Sequence, residues 1–246
     1  MNILGKALRH ASDLAKKPVS GGQNSANRHG RNLGHDAKKN LPGFKFGTVM
    51  DVGANVGQSA LTFLKEYNAR EVICFEPVRN NFAELEARFA NDPRVTCVQS
   101  ALGSEEGSAV MTVEGPGSRI LADLSDNGSL TQGVAVTTLD KFCADAGITT
   151  IDFLKIDAEG SEVEVIEGAG EFLKSGNVGL LQVEAGISST GPHVPLEEIW
   201  EKLATYDFKP FGIYNQALQW PTGEPFLRRV DAVFISPALV ARYARR

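Results

Sequence analysis

Cysteine is scarce. There are three in 246 residues, with no CxxC pair and no metal-ligand spacing, so neither a disulfide framework nor a thiolate metal centre is written into this chain. Cys74 and Cys97 fall in predicted strands and Cys143 in a predicted helix, where they serve as small buried hydrophobes. No apolar run approaches membrane-spanning length. The first residues lack the continuous apolar core of a secretory signal, and the expectation is a cytoplasmic protein with no integral membrane segment. Basic residues are sparse beyond position 46. Residues 1–46 hold nine Lys and Arg against two Asp, a net of +7, and the remainder holds 16 basic and 28 acidic residues, −12, giving the −5 of the whole chain. So acidic a body is a poor partner for nucleic-acid backbones. Internal repeats are missing, and so is the G-x-G-x-x-G turn of pyrophosphate-binding folds.

What is present points to one α/β domain. With 42% hydrophobic residues, the chain can bury one substantial core of roughly 200 residues. Residues 1–46 form a basic, largely flexible extension, and 47–246 the domain. Within the extension, residues 1–17 have the spacing of a short basic amphipathic helix. Pro18 to Asn40 is rich in Gly, Asn, Ser, His and Lys and lacks periodicity, which predicts flexibility. From Thr48 on, strands are expected near 48–52, 71–76, 95–99, 108–113, 151–156, 178–185, 208–214 and 231–236. Helices are expected near 57–67, 79–90, 138–146, 161–168 and 195–204, the last started by Pro195. This alternation predicts a mostly parallel sheet of seven strands covered on both faces, with 108–113 as an extra. Gly115 to Gly133 is too long for an ordinary connection and reads as a substrate-facing flap.

Asp51-Val-Gly-Ala-Asn-Val-Gly57 carries the most information. It is a strand running into a glycine turn and then a helix, which presents backbone N–H groups and a helix start to a small ligand. Gly53 takes backbone angles barred to other residues, and Gly57 allows a close approach of ligand or neighbouring strand. Asn55 tolerates left-handed geometry and offers a cap to the helix. Asp51 is an acceptor-only group suited to an ammonium. An acid ahead of G-x-x-x-G would repel a pyrophosphate but suits a zwitterionic amino-acid tail. A second strand ends in Glu76-Pro77, and a carboxylate there can accept both hydroxyls of a ribose. S-adenosylmethionine carries both groups.

Together with Cys74-Phe-Glu-Pro77, Gln99-Ser-Ala-Leu-Gly103, Thr138-Leu-Asp140, Phe153-Leu-Lys-Ile-Asp-Ala-Glu-Gly-Ser-Glu162 and Leu181-Gln-Val-Glu184, these residues resemble the FkbM-type S-adenosylmethionine-dependent methyltransferases over roughly residues 47–236. The resemblance implies a Rossmann-like class I fold with a C-terminal antiparallel hairpin. It also implies transfer of a methyl group to a hydroxyl of a sugar, glycan precursor or polyketide-like metabolite. Asp51, Gly53, Asn55, Gly57, Glu76 and Pro77 would hold the cofactor. Ala101 and Leu102 would flank the adenine, and Asp157 and Glu159 would lie near the methyl and the acceptor. His193 follows the strand carrying Glu184 and is a candidate base, with a loop or capping role as its plain alternative. Glu162 and Glu164 are ordinary first-turn acids. Asp157, Glu184 and His193 form a mixed O/N set for a divalent cation, on undiagnostic spacing. Phe211, Tyr214 and Trp220 either line an acceptor pocket or pack in the core.

Two other readings share these features. A nicotinamide-dependent oxidoreductase would use the same turn and Glu76, against the glycine spacing. A non-catalytic module would bind the cofactor without turnover. The sequence leaves the oligomeric state open, a homo-oligomer included.

Overall fold

The computed structural model describes residues 29–113, 120, 130–187, 193–218 and 226–243. In chain order the strands are β1 (Thr48–Val52), β2 (Glu71–Phe75), β3 (Val95–Val98), β4 (Ala101–Leu102), β5 (Gly107–Thr112), β6 (Thr131–Thr137), β7 (Ile151–Ile156), β8 (Val178–Gly186), β9 (Lys209–Leu218) and β10 (Leu227–Ile235). The helices are α1 (Leu33–Asn40), α2 (Gln58–Lys65), α3 (Arg79–Phe89), α4 (Leu139–Ala146), α5 (Glu162–Glu167), α6 (Gly170–Lys174), α7 (Leu196–Ala204) and α8 (Pro237–Tyr243). Seven strands form one sheet in the order β3-β2-β1-β7-β8-β10-β9, parallel except for β10, which runs antiparallel to β8 and β9. This is the Rossmann-like arrangement expected, hairpin included.

The inner strands are apolar along their whole length because both faces are covered. Met50, Val52, Ile73, Phe75, Leu154 and Ile156 pack on one side with Leu139, Val165, Leu173, Ile199 and Leu203 of α4 to α7. The alternate residues Val49, Val72, Cys74 and Phe153 pack on the other side with Ala37, Phe63, Leu85, Phe89 and Leu239 of α1, α2, α3 and α8. The period of two in a strand divides the core in this way. Cys74 and Cys143 are buried within it, and burial pushes the Cys143 thiol up to about 12. No helix among the described residues is long and apolar enough to cross a membrane.

The short elements β4, α6 and α8 were not expected from the sequence, and three larger features depart from the sequence reading. Residues 33–40, taken as flexible, form α1. Asn32 caps it by accepting from the His35 N–H at 2.8 Å, and Leu33, Ala37 and Leu41 are buried. With Lys, His and Asn filling the other positions, the apolar stripe is too thin to show as periodicity. Asp36 anchors the segment, accepting from the Gly30 N–H at 2.7 Å and the Tyr214 hydroxyl at 3.0 Å. Secondly, residues 131–133, placed in the flap, open β6, which pairs antiparallel with β5 and parallel with β4 in a separate three-stranded sheet. Only one β6 residue, Val134, is buried, so its pattern gives little signal. Residues 115–119 and 121–129 of the flap lie outside the described residues, as do Trp220 and the helix expected over 1–17. Finally, the hairpin strands are longer than expected, because β9 and β10 run past the sheet body.

Candidate functional site

The carboxyl ends of β1, β2 and β7 open on a cleft of about 560 Å3, within the range of about 300–1,000 Å3 common for small-molecule sites. Gly53 stands at its floor with φ +75°, and a Cβ there would lie 1.9 Å from the Asp157 carbonyl oxygen. Only glycine permits β1 and β7 to end so close together. The Gly53 and Ala54 N–H groups both donate to the Phe75 carbonyl at 3.0 Å, so they are spent on β2. Asn55 has φ +50° and lines the cleft. Its side chain accepts from the Val56 N–H at 2.8 Å and does not cap α2, whose N-cap position is Gly57, with no side-chain cap hydrogen bond. Gly57 lies off the cleft. A Cβ there would meet the Phe89 ring at 2.5 Å, so what approaches it closely is α3, not a ligand or a strand.

Glu76 is buried at the tip of β2. Its two carboxylate oxygens accept from the Asn55 N–H at 2.9 Å and the Val78 N–H at 2.8 Å. Burial raises its pKa, and the two N–H bonds and the Asn81 side chain offset part of that rise. The carboxylate has about four lone-pair sites, so it keeps acceptor capacity beyond these bonds. Pro77, Ala101 and Leu102 line the cleft beside it, together with Ser100 and Met111.

Asp51 does not line the cleft. It sits fully buried in β1, in register with Lys155 of β7, and the ammonium it holds is that of Lys155, at 3.2 Å. Lys155 Nζ also donates to Asp157 at 3.1 Å. Burial works against the lysine charge, but the two carboxylates outweigh it and hold the Lys155 pKa above its ordinary value. Asp51 itself is pushed up by burial, with Lys155 pulling the other way. Lys155 and Asp157 both line the cleft, so this floor presents one positive and one negative group side by side.

The other end of the cleft gathers Glu159, Glu184 and His193, whose ligand atoms lie within 4.8 Å of one another. Glu159 takes φ +49° in the loop after β7. Burial raises its pKa, with Asp157 and Glu162 adding to the rise. Glu162 is buried and accepts from the Ala158 and Gly160 N–H groups, so it braces the loop from behind. His193 Nδ1 lies 3.2 Å from Glu184 Oε2 without the alignment of a hydrogen bond, and neither ring nitrogen has a hydrogen-bond partner. Burial, then the Arg228 charge, lowers its pKa. The acid that joins Glu184 and His193 is therefore Glu159 and not Asp157, which Lys155 occupies.

Lys155, Arg228 and Arg229 line the cleft and were not singled out from the sequence. A lysine inside Ile151-Asp-Phe-Leu-Lys-Ile156, an otherwise apolar strand, is the signal for the first, since a buried ammonium must have partners. The arginines gave none, because reaching the cleft depends on an irregularity of β10. Phe211 and Tyr214 resolve toward the core, Tyr214 buried against Asp36 and Phe211 packed edge-on to His29.

Comparison with known proteins places this geometry. A curated relative named 2-O-methyltransferase NoeI, from Sinorhizobium fredii, is 27% identical over 143 residues, covering 51% of this chain and 58% of that protein. Another, named hexuronic acid methyltransferase AglP, from Haloferax volcanii, is 26% identical over 140 residues, covering 56% of each. The chain thus spans little more than half the length of these relatives. Among solved structures, the crystal structure of methyltransferase FkbM from Methylobacillus flagellatus superposes with a TM-score of 0.52 at 18% identity, over 76% of this chain and 43% of that one. It supports the fold. The sequence profile of the methyltransferase FkbM domain matches residues 51–210, from the acid ahead of the glycine turn into β9, and the chain belongs to that family.

Proposed function

We propose that the cleft binds S-adenosylmethionine and that the protein methylates a hydroxyl of a sugar, glycan precursor or polyketide-like metabolite, in the cytoplasm. The observation that carries this reading is the juxtaposition in one cleft of Glu76 beside an apolar wall and, at the other end, the Glu159, Glu184 and His193 cluster. The residues fit the cofactor. The free lone pairs of Glu76 suit ribose hydroxyls, and Ala101 and Leu102 suit the faces of a base. Lys155 and the exposed side of Asp157 match the opposite charges of an amino-acid tail. Asp51 acts from beneath, by fixing the Lys155 ammonium. One relative named for 2-O-methylation and one named for methylation of a hexuronic acid support the acceptor class.

When bound, the cofactor supplies a methyl group already activated on a sulfonium. The protein's part is then to align and to move one proton. Alignment contributes up to ~7–11 kcal/mol in well-held systems. Glu159 accepts the acceptor hydroxyl's hydrogen bond and orients it. His193 takes the proton on Nε2, with Nδ1 toward Glu184, a contribution of roughly 10²–10⁴-fold. Its lowered pKa keeps the imidazole neutral and ready at physiological pH.

Calorimetric titration with S-adenosylmethionine tests the binding, and a mass gain of one methyl group in a panel of sugars tests the transfer. A folded sample that binds neither S-adenosylmethionine nor S-adenosylhomocysteine would sink the reading. Binding without transfer to any acceptor would leave a cofactor-binding module.

A further inference from the structure

Arg228 and Arg229 are sequence neighbours on β10, and in a regular strand neighbours face opposite sides of the sheet. Here both line the cleft. A register shift between Leu227 and Arg229, where two steps along β10 answer to one along β9, breaks the alternation at Arg228. Bulges next to active sites re-aim side chains in this way. Arg229 spends one donor on Glu184. Arg228 has no ion-pair or side-chain hydrogen-bond partner among the described residues, and the Nε atoms of both arginines are buried without a partner.

A guanidinium carries five donors in a rigid fork that matches the two oxygens of a carboxylate or phosphate. Leaving the two Nε–H groups buried and unpaired is costly, which favours a ligand that satisfies them. The acids nearby do not do so. Glu184 is already bound to Arg229, and Glu159 forms no ion pair with either arginine among the described residues. Asp157 is held by Lys155. The Arg228 guanidinium therefore stands beside His193 without an acid bound to it.

Given the methyltransferase reading of the same cleft, on which this inference rests, we propose that Arg228 and Arg229 form an anion subsite and that the acceptor carries an oxyanion, a carboxylate or a phosphate, near the hydroxyl to be methylated. The anion would lie across the Arg228 fork, with the free Nε–H of Arg229 as a further donor. It would hold the acceptor with its hydroxyl toward His193 and Glu159.

The test is equilibrium binding of three probes to the full chain by calorimetry, with and without S-adenosylhomocysteine. The probes are methyl β-glucuronoside, glucose 6-phosphate and the neutral methyl β-glucoside. At least one anionic probe is expected to bind about tenfold or more tightly than the neutral glycoside, the scale of a charge-assisted hydrogen bond. Arg228→Gln should abolish that preference and Arg228→Lys retain part of it, each with an unchanged thermal midpoint. Whichever anion binds better identifies the oxyanion. Equal binding of neutral and anionic probes, no binding of either anion, or a preference that survives in folded Arg228→Gln would overturn the subsite. If the anions bind through Arg228 while S-adenosylhomocysteine does not bind, the methyltransferase reading falls and the subsite stands.

Discussion

The two ends of the cleft are built on opposite plans. At the β1 and β2 end the polar groups are paired within the protein. Glu76 takes two backbone N–H groups, Gly53 and Ala54 donate to Phe75, and Asp51, though neither of its oxygens has an aligned hydrogen bond, is held by the Lys155 charge. At the β8 and β10 end, both nitrogens of His193 and the Nε atoms of Arg228 and Arg229 lack hydrogen-bond partners. The first end is finished before any ligand arrives, which suits a constant cofactor. The second is left open to be completed by what binds, which suits an acceptor that differs from one relative to another.

That contrast is most directly broken by Lys155→Met. Removing the cation leaves Asp51 buried and uncompensated, and a cost of about 3–5 kcal/mol is expected, read as the unfolding free energy in urea. The sign with pH follows from Asp51, whose folded pKa lies above its unfolded value. Its ionisation opposes folding, so the deficit of the variant should shrink as pH falls through the acid range, where Asp51 becomes protonated. A deficit that does not change with pH would show that Asp51 is not the stranded charge.

At the open end, His193→Gln is expected to lower turnover by roughly 10²–10⁴-fold while leaving the calorimetric affinity for S-adenosylhomocysteine and the urea midpoint in place. Loss of both would join the two ends that the contrast separates. Glu76→Gln should do the reverse. It exchanges an anionic acceptor for a neutral amide and should weaken S-adenosylhomocysteine by about 10–100-fold, with the saturated rate little changed. The smallest effect is in the pH–rate profile. Burial and the Arg228 charge hold His193 below its usual value, so the acid limb should lie below about pH 6.5. In Arg228→Gln it should move toward higher pH. A limb that stays put would remove Arg228 from the surroundings of His193.

The paired end was largely legible in the sequence, because its structure is local. A glycine that must take positive φ, and an acid at each of two strand tips, leave marks within a few residues of one another. Even so, the roles shifted. Asp51 meets a lysine one strand away, and Gly57 makes room for a helix, since neither parallel register nor helix packing is written in one segment. The open end was legible only in part. Glu159 and His193 could be named, but their meeting depends on loops from β7 and β8. Arg228 and Arg229 depend on a bulge that no alternation pattern announces. The core divided as its periodicity predicts, and α1 escaped because its capping asparagine and three buried positions are too few to stand out against lysine, histidine and asparagine.

One contact far from the cleft bears on the outer edge of the large sheet. His29 donates from Nε2 to the Phe211 carbonyl at 2.7 Å, and its Nδ1 lies 3.4 Å from Asp36. Phe211 belongs to β9, the outermost strand of the large sheet. A row of unmatched carbonyls on such a margin invites another chain to add itself as the next strand. His29, with Gly30 beside the Ile213 carbonyl, covers part of that margin. A version trimmed to residue 33 would keep its cleft but bare the rim, and its first fault would be self-association in solution, not a lapse in chemistry.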